Sequence, residues 1–443
     1  NLLCFHFVNP LYRISQPLNM PCNSHSRLLR CTGFLTLGLV SLLLGGMGTS
    51  LQAQITPTQL GGGDLNTITT AVPFLMISPD ARAGAMGDVG AATSPDANSI
   101  YWNAAKLCFV DKGSGIAMNY TPWLRNLVPD VSLAYLSAYK RLDDLQTVGV
   151  SMRYFSLGDI NFTDINGNSL GTFNPNEFSL DGAYARKLSD FFSVGVALRY
   201  VYSNLAAGFD PNNQFKAGQS VAGDLSFYYN RDRRLFGRDG NVALGLSLSN
   251  MGNKMSYSES GNTSFIPTNL RLGTTLTSVI DRYNKVSFSF DLNKLLVPTN
   301  PVYQRDSSNR ILLGVDGRPL IARGEDPNQK SVMEGILGSF GDAPDGFREE
   351  LREINPSIGI EYLYNQVFAL RGGYFYEHPT KGGRQYFTAG MGLQYNVFNL
   401  NFAYLIPVGS LQTNPLANTL RFSLLFDLGS LGKNTDESPA ITD

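Results

Sequence analysis

From about residue 115 onward the chain repeats one pattern: large apolar residues alternate with small or polar ones, with a period of two. The segment 147–155 sets Val148, Val150, Met152 and Tyr154 against Gly149, Ser151 and Arg153. The segment 193–202 sets Val194, Val196, Leu198, Tyr200 and Tyr202 against Ser193, Gly195, Ala197 and Arg199. Residues 241–249, 286–293 and 420–428 alternate in the same way. Such a period marks β-strands with two unlike faces. A large apolar face suits lipid, and a small polar face suits a wet or filled interior. About fourteen segments follow the pattern, centred near 118, 135, 151, 181, 197, 225, 245, 272, 288, 360, 371, 390, 402 and 423. Each runs for about ten residues, the length a tilted strand needs to cross a bilayer. In hydrocarbon every unpaired backbone group is costly, so strands can cross only when the sheet closes on itself. The expected fold is all-β: a transmembrane antiparallel β-barrel of about 14 strands.

A soluble β-sandwich would also alternate, but the connections argue against it. Short turns near 141–145, 188–191, 278–284, 364–366 and 396–399 take turns with long connections near 157–176, 204–219, 251–266, 295–356, 377–385 and 406–418. Residues 230–240 read as a turn of middling length. Outer-membrane barrels combine short periplasmic turns with long outer loops. The expected location is the outer membrane, with long loops extracellular and both termini periplasmic. Tyr120, Trp123, Tyr135, Tyr139, Tyr154, Tyr200, Tyr202 and Tyr395 stand at strand ends, where an interfacial girdle is expected. Inside the longest loop, Val332, Met333, Ile336, Leu337 and Phe340 follow helical spacing. Phe347, Leu351 and Ile354 repeat it, and Pro356 is expected to end the run. Two short amphipathic helices on the outer face are the reading.

The N-terminal stretch reads as a targeting segment. Arg27 and Arg30 precede a small, apolar run at 33–48, and Leu51-Gln52-Ala53 suits cleavage before Gln54. That run is shorter than the roughly 20 residues of a spanning helix. Met20 is the first Met and fits a start codon, with an over-extended N-terminus before it. The domain reading is therefore 1–53 signal peptide, 54–110 periplasmic lead-in and hatch, 111–428 barrel, and 429–443 flexible periplasmic tail. Cys4, Cys22 and Cys31 lie in or before the signal, which leaves only Cys108 and no disulfide framework. Past the signal only His378 remains, which argues against His-based triads and multi-His metal sites. With 35 Lys+Arg against 36 Asp+Glu, nothing points to nucleic acid.

No catalytic constellation stands out, and no metal or cofactor is expected. The run 164–168, Asp-Ile-Asn-Gly-Asn, lacks the further ligands of a calcium loop and reads as a polar loop tip. Gly84, Gly87 and Gly90 recur at three-residue intervals, and close packing inside a barrel accounts for them better than a phosphate loop. Arg231, Arg233, Arg234 and Arg238 read as a solvated periplasmic turn. The compact segment 74–107 has neither strand alternation nor a helical stripe, and is expected to fill the lumen. Its charges Asp80, Arg82, Asp88 and Asp96 would meet lumen residues Arg153, Arg199, Asp224, Asp291, Glu361 and Arg371, mainly to hold it there. Trp102 and Asn103 complete the hatch set. Apolar residues in the outer loops are Phe162, Phe173, Phe209, Phe215, Phe265, Met333, Leu337 and Phe340. Either they pack the loops on one another or they form a partner surface.

The run 83–107, with Asp96-Ala97 followed by Tyr101-Trp102-Asn103-Ala104-Ala105, resembles the hatch of the FadL-like outer-membrane barrels. Ala104 stands where that superfamily usually has Pro in an Asn-Pro-Ala tripeptide. Ser78-Pro79-Asp80-Ala81-Arg82 and Tyr120-Thr121-Pro122-Trp123-Leu124 are more closely similar to the PorV (LptO) family of such barrels, over about 55–428. The resemblance implies a non-enzymatic shuttle of the type IX secretion system. Its implied partners are the translocon barrel, secreted cargo bearing a C-terminal signal domain, a cysteine-protease sortase with its attachment complex, and lipopolysaccharide of the outer membrane. The alternative is a FadL-type transporter of hydrophobic small molecules.

Overall fold

The computed structural model describes residues 66–430, apart from 126, 127, 129, 164–168, 206–214, 236, 259–262, 308, 309, 316 and 410–413. The expected strands form. In chain order they are β1 (Ser114–Pro122), β2 (Ser132–Arg141), β3 (Gln146–Ser156), β4 (Ile160–Thr163), β5 (Ser169–Phe173), β6 (Asn176–Ser189), β7 (Phe192–Asn204), β8 (Gly218–Leu235) and β9 (Arg238–Gly252). Then come β10 (Asn269–Val279), β11 (Asn284–Leu295), β12 (Val302–Tyr303), β13 (Ile321–Arg323), β14 (Ile354–Tyr364), β15 (Phe368–Tyr376), β16 (Gln385–Tyr395), β17 (Phe398–Pro407) and β18 (Leu420–Asp427). Fourteen of them close into one antiparallel barrel. β4–β5 and β12–β13 are separate two-stranded pieces within long loops. Closure is made by β1 against β18, from Gly115 opposite Asp427 to Tyr120 opposite Phe422.

The parity of each strand explains its composition. On β3, Val150 and Met152 point outward and are exposed, whereas Ser151 and Arg153 are buried inside. On β7, Leu198 faces out while Ala197 and Arg199 are buried. The inward face is small because something fills the lumen. A Cβ added at inward Gly195, Gly245, Gly359, Gly373 or Gly390 would collide with backbone or Cβ atoms of residues 85–105. Some inward charges are paired, as Arg199 is with Asp181 and, at 3.0 Å, with Asp224, whereas Arg153 and Asp291 have backbone partners from the lumen segment.

Four expectations need correction. Residues 230–240 are not a loop: pairing continues from Arg231 opposite Val242 to Leu235 opposite Arg238. A ladder is made by backbone groups, so it can outlast the apolar residues that announce it. Phe340 and Ile354 are not helical. α3 spans Val332–Gly338 and α4 spans Phe347–Arg352, and Pro356 lies in β14 opposite Leu292. Proline is tolerated near a strand start, where its missing N–H matters least. Two shorter helices precede them in the lumen, α1 (Ala81–Gly84) and α2 (Ser99–Trp102). Tyr135 and Tyr139 do not join a girdle. They share the inward face of β2 with Ser137 and are buried, whereas Tyr120, Tyr154, Tyr200 and Tyr395 are exposed.

The fourth correction concerns the lead-in. The Asn66 N–H donates to the Thr380 carbonyl, its side chain to Asn300 and Glu349, and the Ala71 N–H to the Phe265 carbonyl. All these partners belong to long connections. Residues 66–72 therefore lie at the long-loop end, not at the short-turn end expected of a periplasmic lead-in. From there the chain descends through the lumen. Cys108 reaches the Leu145 carbonyl at the short-turn end before β1 begins.

Candidate functional site: the filled lumen and the loop helices

The descending segment is fixed at three heights. At the top, Phe74 stacks on Phe155 at 6.1 Å, and the Leu75 carbonyl accepts from Arg153 Nη1 at 2.8 Å. The same guanidinium lies 4.6 Å from the Tyr101 ring centroid, a cation–π contact away from water. In the middle, Asp80 caps α1 by accepting from the Ala83 N–H at 2.8 Å, and its other oxygen accepts from Trp102 Nε1 at 2.6 Å. One carboxylate thus ties α1 to α2. Arg82 bridges Asp96 at 3.4 Å and Glu361 at 3.0 Å, and Glu361 also pairs with Arg371 at 2.6 Å. Asp88 pairs with Arg421. Asp291 accepts from the N–H groups of Gly90 and Ala91 at 2.7 and 2.9 Å. Lower down, the Asn103 side chain donates to the Ala91 and Phe227 carbonyls, and the Ala105 N–H donates to Ser226.

The three glycines of the hatch are spatial requirements. Gly87 has a positive φ of 70°, and a Cβ there would lie 2.6 Å from the Tyr374 carbonyl oxygen. A Cβ on Gly90 would fall on the Trp102 ring, and one on Gly84 on the Arg421 side chain. The structure therefore brings Asp80, Arg82, Gly84, Gly87, Asp88, Gly90, Asp96, Trp102 and Asn103 into one buried assembly. Of the expected lumen partners, Glu361, Asp291 and Arg153 touch the segment directly, and Arg371 joins through Glu361. Asp224 pairs with Arg199 in the barrel wall.

The loop residues divide differently. Phe209 lies outside the described residues, as does the 164–168 run, and for Phe162 the backbone alone is described, in β4. Phe173 is half-buried and Phe215 exposed. Phe265 is buried, its ring against Gly335 of α3. Met333, Leu337 and Phe340 are 62%, 69% and 54% exposed.

α3 begins with a capping box in which Ser331 and Glu334 satisfy each other's backbone N–H groups. Its Ile336 is buried, while Met333 and Leu337, four residues apart, share the solvent face. α4 inverts ordinary amphipathicity. Its Glu349 and Glu350 are buried together with Glu353 just beyond its end, while Phe347 and Leu351 are 77% and 53% exposed. The buried carboxylates grip two lysines. Lys294 meets Glu350 at 2.9 Å and Glu353 at 2.6 Å, and Lys381 meets Glu349 at 2.6 Å and Glu353 at 3.0 Å. Burial pushes the Glu349 carboxyl up, but Lys381 and the Asp345 N–H outweigh it and hold the group below the ordinary 4.5. Charge inside and apolar residues outside leave Phe347 and Leu351 uncovered. Phe347 and Leu351 were visible in the sequence by spacing, but which face they occupy was not.

A family model described as type IX secretion system protein PorV matches residues 62–302. That span holds the lumen segment and the strands through β11, and ends before α3 and α4. No curated protein matches the chain. Among solved structures, the toluene transporter TbuX of Ralstonia pickettii is 12% identical, with 79% of this chain and 97% of that chain covered and a TM-score of 0.42. The toluene transporter TodX of P. putida is 13% identical, with 79% and 95% covered and a TM-score of 0.42. A FadL homologue of Pseudomonas aeruginosa is 11% identical, with 82% and 99% covered and a TM-score of 0.38.

Proposed function

The chain belongs to the PorV family of type IX secretion system proteins, and from that premise we propose that it is a non-enzymatic shuttle of the outer membrane. It takes cargo bearing a C-terminal signal domain from the translocon barrel and passes it to the attachment complex. There a cysteine-protease sortase removes the signal and joins the cargo to lipopolysaccharide. On this reading the long loops face the cell exterior and the short turns face the periplasm. The lumen segment keeps the barrel shut, and the loop surface does the recognition.

The observation that carries the assignment to the loops is the inverted α4, with Phe347 and Leu351 exposed in the same long connection as exposed Met333 and Leu337 of α3. Small-molecule transport would need a path through the lumen, where paired Arg82, Glu361 and Arg371 now stand.

The test is a variant with Met333→Glu, Leu337→Glu, Phe347→Glu and Leu351→Glu, which leaves the lysine–glutamate grip intact. Crosslinking in intact cells should no longer capture proteins sharing a C-terminal domain, and these should fail to reach the surface. The barrel should still show its heat-dependent shift in electrophoretic mobility. Normal capture and secretion in this variant would sink the assignment of the surface.

A further inference from the structure

The outer wall of β7–β11 carries a concavity of about 450 Å³. Phe192, Phe227, Leu244, Leu272, Phe290 and Leu292 line it. These side chains have outward parity, with Leu244 and Leu272 exposed on the lipid side. Behind them Gly245 pairs with Gly273, so no side chain thickens the wall there. The volume falls within the ~300–1,000 Å³ of ligand-bearing clefts.

Toward the short-turn end the same outward face changes chemistry. Tyr229 meets Phe191 edge-on at 5.6 Å, and the Arg231 guanidinium lies 5.2 Å from that Phe191 ring. Aromatic residues of this kind sit at headgroup depth. One and two steps further along the outward row come Arg231 and Arg233, both exposed, opposite Val242 and Gly240. Strand alternation sends the nearby carboxylates to the other face. Asp232 accepts from Asn241 there, and Asp239 lies 3.8 Å from Arg234. Arg238, also outward, lies near Asp281 of the neighbouring turn, which feels its charge. Among the described residues, Arg231 and Arg233 have no ion-pair partner. The β8–β9 hairpin thus carries two unneutralised guanidinium groups just beyond an apolar trough in the bilayer-facing wall.

We propose that this wall binds an anionic diacyl phospholipid of the leaflet at the short-turn end. One acyl chain lies in the trough, and the phosphate accepts hydrogen bonds from Arg231 and Arg233. With the short turns in the periplasm, as in the function proposed above, this is the inner leaflet. Guanidinium groups suit phosphate oxygens because they offer paired, charge-assisted donors.

The test is native mass spectrometry of the purified full chain, extracted in mild detergent with added palmitoyl-oleoyl phosphatidylglycerol or the matching phosphatidylethanolamine. Three proteins are compared: the unaltered chain, the double variant Arg231→Gln/Arg233→Gln, and Thr274→Trp, which fills the trough. The unaltered chain should retain phosphatidylglycerol in preference to phosphatidylethanolamine. The double variant should lose about tenfold in phosphatidylglycerol retention, the order expected for two charge-assisted contacts at a partly exposed site. Its loss of phosphatidylethanolamine should be smaller, because that headgroup's own ammonium already offsets the phosphate charge. Thr274→Trp should weaken retention of both lipids, and inorganic phosphate should displace neither. Heat-dependent mobility confirms that each variant is folded. Equal phosphatidylglycerol retention by the double variant overturns the proposal. So does displacement by inorganic phosphate, or a second copy of the chain in place of lipid. Because the readout is lipid on purified protein, it stands or falls separately from secretion.

Discussion

Replacing Lys294 with Met tests how the loop helices are held. Two lysines face three glutamates in that grip. Lys294→Met leaves Glu349, Glu350 and Glu353 around Lys381 alone. Removing one partner of a buried ion pair costs about 3–5 kcal/mol, because the other charge stays buried. Glu353 keeps Lys381 and also accepts from Thr299 at 2.6 Å, so the lower end, about 3 kcal/mol, applies. Glu353→Gln should be milder despite removing the most shared carboxylate. It leaves two lysines opposite two glutamates, and its one amide oxygen can still accept from Lys381 and Thr299 while the contact to Lys294 is lost, for a loss of about 1 kcal/mol. The difference of about 2 kcal/mol corresponds to roughly thirtyfold in the population of the opened loop. Hydrogen exchange of the 346–353 backbone reads that population, with β14 as internal reference. If Glu353→Gln opens the loop as much as Lys294→Met, or if Lys294→Met changes exchange by less than about threefold, charge imbalance does not govern the attachment.

The same grip has a pH dependence. The Glu349 carboxyl is held below its ordinary 4.5 in the folded state. Its contribution is therefore complete above the unfolded value and lost as pH falls through the lower, folded one. Corrected exchange of α4 should stay protected down to about pH 5 and rise below the usual glutamate range; loosening that begins above about pH 5 contradicts the assignment. In the lumen, Asp80→Ala should free Trp102 Nε1 and uncap α1, at a cost of about 1.5–3 kcal/mol for a hydrogen bond to a charged group. The chain has 2 Trp, so with Trp123→Phe as background the Trp102 emission reports alone. It should shift to the red, and an unshifted spectrum would show that Asp80 does not position the ring.

The barrel was legible because lipid makes a single demand of every strand. Each one must show apolar residues at every second position, whatever its neighbours. What occupies the small face was less legible. Gly195, Gly245 and Gly373 look like tolerated small residues until the backbones of Ala105, Ala91 and Met86 are seen against them. Tyr135 and Tyr139 stand toward the ends of β2, but parity decides their face. Both lie in step with Ser137, on the small face of β2, and parity is the stronger constraint because a one-residue slip reverses a whole strand. In the loop, spacing located α3 and α4 but not which face of α4 is covered. Glu349, Glu350 and Glu353 look like a solvated face, since their partners are distant in sequence. Lys294 stands 56 residues from Glu350, and Lys381 stands 32 from Glu349. The same separation hid the path of the lead-in, whose contacts at Asn300 and Thr380 lie far along the chain.

Charge inside with apolar residues outside therefore occurs twice in this molecule, in two different solvents. Around the barrel the arrangement is favourable, because the outward side chains meet hydrocarbon. At α3 and α4, beyond the strand ends, the outward side chains meet water. Burying a large apolar side chain is worth about 1.5–3 kcal/mol. Met333, Leu337, Phe340, Phe347 and Leu351 are between 53% and 77% exposed, so each leaves roughly 1–2 kcal/mol unrealised. Together that is on the order of 5–10 kcal/mol for a partner that covered all five. Association itself costs at least about 4 kcal/mol. The patch alone thus supports contacts that form and release readily, and tight capture would need further contacts from the other long loops. On the proposed shuttle function, a carrier that must give up what it takes is better served by the weaker regime. That is why the four-residue charge substitution should abolish capture outright rather than merely weaken it.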